Sequence, residues 1–196
     1  GYEWHRVCYT SLADENGHVT RIIGRIKNIH DEVLARQKKQ EELEFGLNHI
    51  TGVKQRIWEK LENCDFEDKH TMAIISINNY KHIIEQNGVA WGDTAIHGIA
   101  DILKDKLGES AIMGRTSDGE VLMYFQNYPN EKLDSTMEDI LQEVQKPEHQ
   151  VAGLTVECTV GAAIMQGIVD YTVFYQETEE ALHIAKITKG EHYIRV

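Results

Sequence analysis

Cysteine, proline and positive charge are all scarce in this chain. The three cysteines, Cys8, Cys64 and Cys158, lie far apart. An odd number without C-x-x-C spacing excludes a disulfide scaffold and offers no zinc or redox motif. They read as the free thiols of a cytoplasmic protein. The ten histidines are scattered, with no H-E-x-x-H and no His/Cys cluster, so no structural metal is expected. Two prolines and 15 glycines in 196 residues exclude collagen-like and low-complexity disordered classes. No apolar run approaches the roughly 18–20 residues that cross a bilayer, and no signal-peptide pattern opens the chain. No membrane contact is expected of this stretch. The 20 Lys and Arg are outnumbered by 32 Asp and Glu, for a formal charge of −12. That balance argues against sequence-independent nucleic-acid binding, which needs cations opposite phosphates, but not against one nucleotide in a local pocket.

What is present is an ordinary globular mixture, 41% apolar and 27% charged, in a length that allows one full domain and a modest appendage. Residues 4–10 and 19–26 are rich in β-branched and aromatic side chains and flank Asn16-Gly17, the strongest short hairpin signal. A lone hairpin is marginal in water, so these strands need something to pack against. The abrupt start inside this unit predicts a piece cut from a longer protein. Asp31 reads as the N-cap of a charged helix over 32–43, either a solvated linker or a short parallel coiled coil, since Val33, Leu34, Leu43 and Leu47 only hint at a seam. From residue 50 helix and strand alternate. Helical faces are marked by Val53, Ile57, Trp58 and Leu61, by Ile96, Ile99, Ala100, Leu103 and Leu107, and by Leu133, Met137, Ile140, Leu141 and Val144. Strands are expected at 71–77, at 111–115 and 121–125 around a polar tip, at 154–163, and at 193–196, with a further helix ending near Lys189. The pattern predicts an α/β (α+β) fold, a mixed central sheet flanked by helices.

Five stretches, in order, carry a resemblance. They are Ile50-Thr51-Gly52-Val53; Ile75-Ser76-Ile77-Asn78-Asn79-Tyr80-Lys81 running on to Gly88 and Gly92-Asp93; Arg115 to Val121; Thr159-Val160-Gly161-Ala162; and Ala181-Leu182-His183-Ile184-Ala185-Lys186. Together they resemble the L-T-G-L, D-I-D-x-F-K-x-I-N-D-x-x-G-H-x-x-G-D, R-x-G-G-D-E-F, S-I-G-x and A-L-x-x-A-K motifs of the GGDEF domain, the diguanylate cyclase module of bacterial cyclic di-GMP signalling. Residues 2–30 resemble the C-terminal strands of a PAS sensor domain, on Trp4, Asp14, Gly17, Ile23-Gly24 and Asn28-Ile29. The resemblance implies three parts: 1–30 as the end of a PAS/PAC domain, 31–46 as a signalling linker helix, and 47–196 as a GGDEF domain.

The same resemblance implies GTP as family substrate and Mg²⁺ held by two acidic positions. Here those positions are Ser76 and Gly119, with Asn78 at a further family Asp. Ser and Asn bring no charge and Gly no side chain, so no metal ligand and no cofactor is expected. The tip reads Ser117-Asp118-Gly119-Glu120-Val121; Asp118 would repel a triphosphate, and Glu120 is a possible catalytic remnant. The guanine-reading Asn falls on Ile84, while Asp93 is retained. Lys81, Lys186 and Arg115 match nucleotide-contacting positions, whereas the product-binding R-x-x-D falls on Gly108-Glu109-Ser110-Ala111 and is absent. Each survivor has a plain structural reading too: Asp93 as an N-cap, Lys81 and Lys186 as solvated helix ends, Glu120 as an exposed tip residue. The expectation is a degenerate, catalytically silent GGDEF domain that relays a PAS signal, forms a homodimer, and precedes an output domain such as an EAL phosphodiesterase. The alternatives are a weak diguanylate cyclase or slow GTP/ATP hydrolase, and a purely structural dimerisation module.

Overall fold

The computed structural model describes residues 3–13, 18–31, 48–117 and 119–196. The chain divides into two compact units, Gly1–Leu43 and Glu44–Val196. The first holds β1 (His5–Ala13) and β2 (Val19–Asn28), an antiparallel hairpin in register from His5–Asn28 to Leu12–Arg21. Both expected strands are present, each somewhat longer than the β-branched runs. The Asn16-Gly17 turn and the 32–47 helix or coiled coil lie outside the described residues. His30 and Asp31 already have helical backbone, and the Asn28 side chain accepts from the His30 N–H at 2.9 Å. The N-cap role expected of Asp31 depends on backbone beyond it that lies outside the described residues.

The second unit is a six-stranded mixed sheet in the order β3 (Asn48–His49), β5 (Ile112–Ser117), β6 (Glu120–Gln126), β4 (Lys69–Ile77), β7 (Cys158–Gln166), β8 (Tyr193–Arg195). Strand β4 runs antiparallel to both neighbours; only the outer pairs β3–β5 and β7–β8 are parallel. Alternation along the strands divides the core in two. Ala73, Ile75 and Ile77 of β4, with Val121, Met123 and Phe125 of β6, face one side, where α2 (Tyr80–Asn87), α3 (Val89–Leu107) and α4 (Asn130–Val144) pack. Met72 and Ile74, with Leu122 and Tyr124, face the other, beneath α1 (Ile50–Glu62) and α5 (Tyr171–Ile187). With helices on both faces, β4 is a near-continuous apolar run, and each fully buried aliphatic side chain contributes roughly 1.5–3 kcal/mol.

Two expectations are corrected. The strand placed at 154–163 begins only at Cys158, because Val151 and Leu154 exchange hydrogen bonds of 2.9 Å across Ala152 and Gly153, both at positive φ. That tight turn uses up the apolar residues which had suggested an earlier start. The helix read from Ile96 begins at Val89, and a separate helix, α2, precedes it across Gly88 (φ 94°). All three cysteines are free, and burial pushes the Cys158 thiol up to about 12, leaving it inert.

Two outcomes are expected. A Cβ on Gly161 would overlap the backbone nitrogen of Leu182, because α5 crosses β7 at backbone contact. Gly161→Ala should cost at least about 3 kcal/mol in urea denaturation. His70, fully buried, shares a 2.8 Å hydrogen bond with the Tyr124 hydroxyl. Burial holds its imidazole below the ordinary value of 6.5, against an opposing pull from Asp68. The unfolded chain then takes up the proton more readily, so stability present above that value is lost as pH falls below it. Melting temperature should drop between about pH 7.5 and about pH 5, and His70→Gln should flatten that slope.

Candidate functional site

The residues singled out from sequence gather where β4 ends. Register places Ser76 opposite Glu120 on β6 and opposite Thr159 on β7. Ser76 is almost fully buried, and its hydroxyl donates to Glu120 Oε1 at 3.1 Å. The same oxygen accepts from Lys186 Nζ, in the last turn of α5, at 3.3 Å. Glu120 is thus a half-buried member of a Ser–Glu–Lys chain, which corrects the reading of a simply exposed tip residue. Lys186, likewise, is an ion-pair partner and not just a solvated helix end.

The β5–β6 connection is short. Ser117 and Glu120 pair across it, and Gly119 takes φ 80°. The Gly119 carbonyl accepts from the Ile77 N–H at 2.8 Å, tying the tip to the end of β4. The Tyr80 ring lies directly over this glycine: an added Cβ would come within 2.7 Å of its Cγ. Asp118 lies outside the described residues.

Tyr80 also links the tip to a second pair. Arg115 Nη2 donates to the Tyr80 hydroxyl at 3.0 Å, and Arg115 Nη1 lies 3.5 Å from Asp93 Oδ1. Asp93 is not an N-cap, because α3 begins at Val89 and carries it one turn into the helix; its contact is the ion pair. Ile84 packs over Gly92, where a Cβ would meet its Cγ1 at 2.7 Å. Lys81 is set apart from these contacts, largely exposed and 3.7 Å from Glu85 on its own helix. Asn78 Nδ2 donates to Thr159 Oγ1 at 2.8 Å, and Asn79 bridges Thr155 and Glu157, so the two asparagines fasten the end of β4 to the segment leading into β7.

Of the residues predicted, the structure brings together Ser76, Gly119 and Glu120 with Lys186, and Arg115 with Asp93, but not Lys81. The residue that sequence reasoning missed is Tyr80, which touches Gly119 and Arg115 and so connects the two groups. Its hydroxyl, at the Phe position of the motif, was the available signal. Among the described residues one other group of potential metal ligands exists, Glu143, Glu148 and His149. Glu143 there is already paired with Lys146 at 2.8 Å and Lys106 at 3.6 Å. No helix among the described residues is long and apolar enough to cross a membrane.

Comparison with known proteins agrees with this layout. A family model described as "Diguanylate cyclase, GGDEF domain" matches residues 46–192. No curated protein matches the chain significantly by sequence. Among solved structures, the diguanylate cyclase SiaD of Pseudomonas aeruginosa, crystallised with its activator SiaC, superposes with a TM-score of 0.72 at 19% identity, over 86% of this chain and 66% of that one. The chain thus spans just under two thirds of SiaD. The FimX GGDEF domain from Pseudomonas aeruginosa gives 0.67 at 16% identity, over 78% of this chain and 96% of that one. An S helix–GGDEF–EAL portion of Vibrio cholerae LapD, bound to c-di-GMP, gives 0.67 at 18%, over 84% and 39%. At these identities the likeness is one of fold.

The Tyr80 contact predicts that a carboxylate cannot simply be put back. Gly119→Asp would combine a positive φ with a ring overlap, and should lower stability by about 1–3 kcal/mol. Thermal melts with and without Mg²⁺ or Mn²⁺ check this, the expected result being a lowered melting temperature that neither ion restores.

Proposed function

Because the chain belongs to the GGDEF domain family of diguanylate cyclases, we propose that it is a catalytically silent member, acting as a regulatory relay within a cyclic di-GMP signalling protein. The observation that carries this reading is the sharing of Glu120 Oε1 between Ser76 Oγ and Lys186 Nζ. Joining two GTP molecules requires cations on the triphosphate, and Mg²⁺ takes carboxylate and water oxygens. Position 76 offers a neutral hydroxyl, position 119 nothing, and the carboxylate at 120 is already neutralised by a lysine. These residues do not fit a metal pair. The resemblance assigns Lys186 to phosphate, and Arg115 and Asp93 to the nucleotide. Here Lys186 faces Glu120, while Arg115 and Asp93 face each other. A triphosphate entering this pocket would have to displace two ion pairs to reach Lys186 or Arg115. Loss of metal clamping alone removes several kcal/mol of transition-state stabilisation, a factor of thousands in rate.

In this reading the N-terminal hairpin is the end of a PAS/PAC sensor, the segment after it transmits the signal, and the GGDEF domain passes it to an output domain in the cytoplasm. LapD, in which a GGDEF domain is joined to an EAL domain, supports that arrangement, and SiaD with its activator supports control by a partner. The working unit is a homodimer, which light scattering at high concentration should report. For the chemistry, the protein is incubated with GTP and Mg²⁺ or Mn²⁺ and the nucleotides are separated chromatographically. No cyclic di-GMP above the protein-free blank is expected; its appearance would overturn the silent reading.

A further inference from the structure

At the opposite end of the sheet from Ser76, α1 and the start of α5 enclose a groove of about 790 Å³ lined by Lys54, Trp58, Glu59, Glu62, Asp170 and Tyr171. Its aromatic floor is the Tyr171 ring, which stacks with Tyr175 at a centroid distance of 6.0 Å. Trp58 is 58% exposed at its wall, and Ile168, 73% exposed, stands on the loop that leads into it. The adjoining loop, hydrogen-bonded through Asp68 to Gly167, carries Phe66 at 78% exposure. Such large apolar side chains together on two neighbouring loops and a groove wall mark an interaction surface more often than they occur by chance.

Two further observations indicate what fits there. First, the groove already holds a cation on its aromatic floor, since Lys54 Nζ lies 5.9 Å from the Tyr171 centroid and 5.6 Å from that of Tyr175. Three carboxylates, Glu59, Glu62 and Asp170, outnumber that single ammonium, though Asp170 also caps α5 through the N–H groups of Thr172 and Val173. Second, the Tyr171 hydroxyl is buried without a hydrogen-bond partner, so what Tyr171 offers the groove is its ring. Aromatic faces beside carboxylates favour Arg and Lys, and the exposed Trp58, Phe66 and Ile168 favour apolar anchors next to them.

We propose that this groove is a docking site for a basic amphipathic segment of a partner protein, whose Arg or Lys takes the place of Lys54 over the two tyrosines while its apolar face covers Trp58 and Ile168. The site is independent of the nucleotide pocket and of whether that pocket is silent.

The test uses Trp58 as reporter in a Trp4→Phe/Trp91→Phe background, titrated with a blocked helix-forming peptide of about 14 residues, leucine on one face and arginine on the other. A saturable change in Trp58 emission is expected, and none with the peptide in which glutamate replaces arginine. Glu59→Lys with Glu62→Lys should weaken binding at least about tenfold, whereas the same charge change on α4, Glu131→Lys with Glu138→Lys, should leave it within about twofold. Lys54→Met should tighten binding more than Lys60→Met, which removes equal charge outside the groove. Equal weakening by both glutamate pairs would mean diffuse attraction to an acidic surface and would overturn the proposal. So would a Trp58 change that depends on protein concentration alone, which would assign the groove to a second copy.

Discussion

Strand β4 has a neighbour on each edge and a helical layer on each face, and every residue from His70 to Ile77 is buried. A polar group at the end of such a strand must find its partner inside the protein, since water does not reach it. Ser76 meets that demand with one hydrogen bond to Glu120. A carboxylate in the same place, facing a second carboxylate across the register, would need cations to hold the two together. The serine removes that need and leaves Glu120 free to pair with Lys186. Ser76, Glu120 and Lys186 therefore form one charge-balanced arrangement.

The tip follows the same logic. Without a side chain at 119, the Tyr80 ring settles against the glycine, and its hydroxyl receives Arg115, which in turn reaches Asp93. A glycine at positive φ, a tyrosine and an ion pair thus form one continuous set of contacts at the tip. The proposal of a silent domain draws on this chain of contacts as well as on the residue types at positions 76 and 119. The far end of the sheet contrasts with it: its groove exposes aromatic surface and more carboxylate than ammonium. At one end the carboxylates of Glu120 and Asp93 are paired with Lys186 and Arg115, and at the other carboxylates and aromatic rings stand open to a partner.

Much of the fold was legible in sequence because burial on both faces of a sheet leaves a strong local signature. The 71–77 run, the Leu133 to Val144 face and the hairpin strands all followed from spacing alone. The misreadings have local physical causes. Leu154 looked like the start of a strand because it is apolar, yet the Ala152-Gly153 turn folds it back on Val151. Asp93 looked like a cap because it follows a glycine, yet the helix had already begun after another glycine, Gly88. Glu120 looked like a solvated tip because hairpin tips usually are, and nothing within a few residues of it announces Ser76 or Lys186.

By itself the sequence determined the mixed α/β layout, the motif order, and the presence of serine at 76 and glycine at 119 within those motifs, since these depend on residue type and on periodicities of two and 3.6. Only the tertiary structure decided that Glu120 takes a serine 44 positions away and a lysine 66 positions away as partners, that Tyr80 fills the space beside Gly119, and that Lys54 rests on Tyr171 and Tyr175. Those contacts depend on where each helix crosses the sheet. That crossing is set by how the two core layers interdigitate, which no local stretch of sequence records.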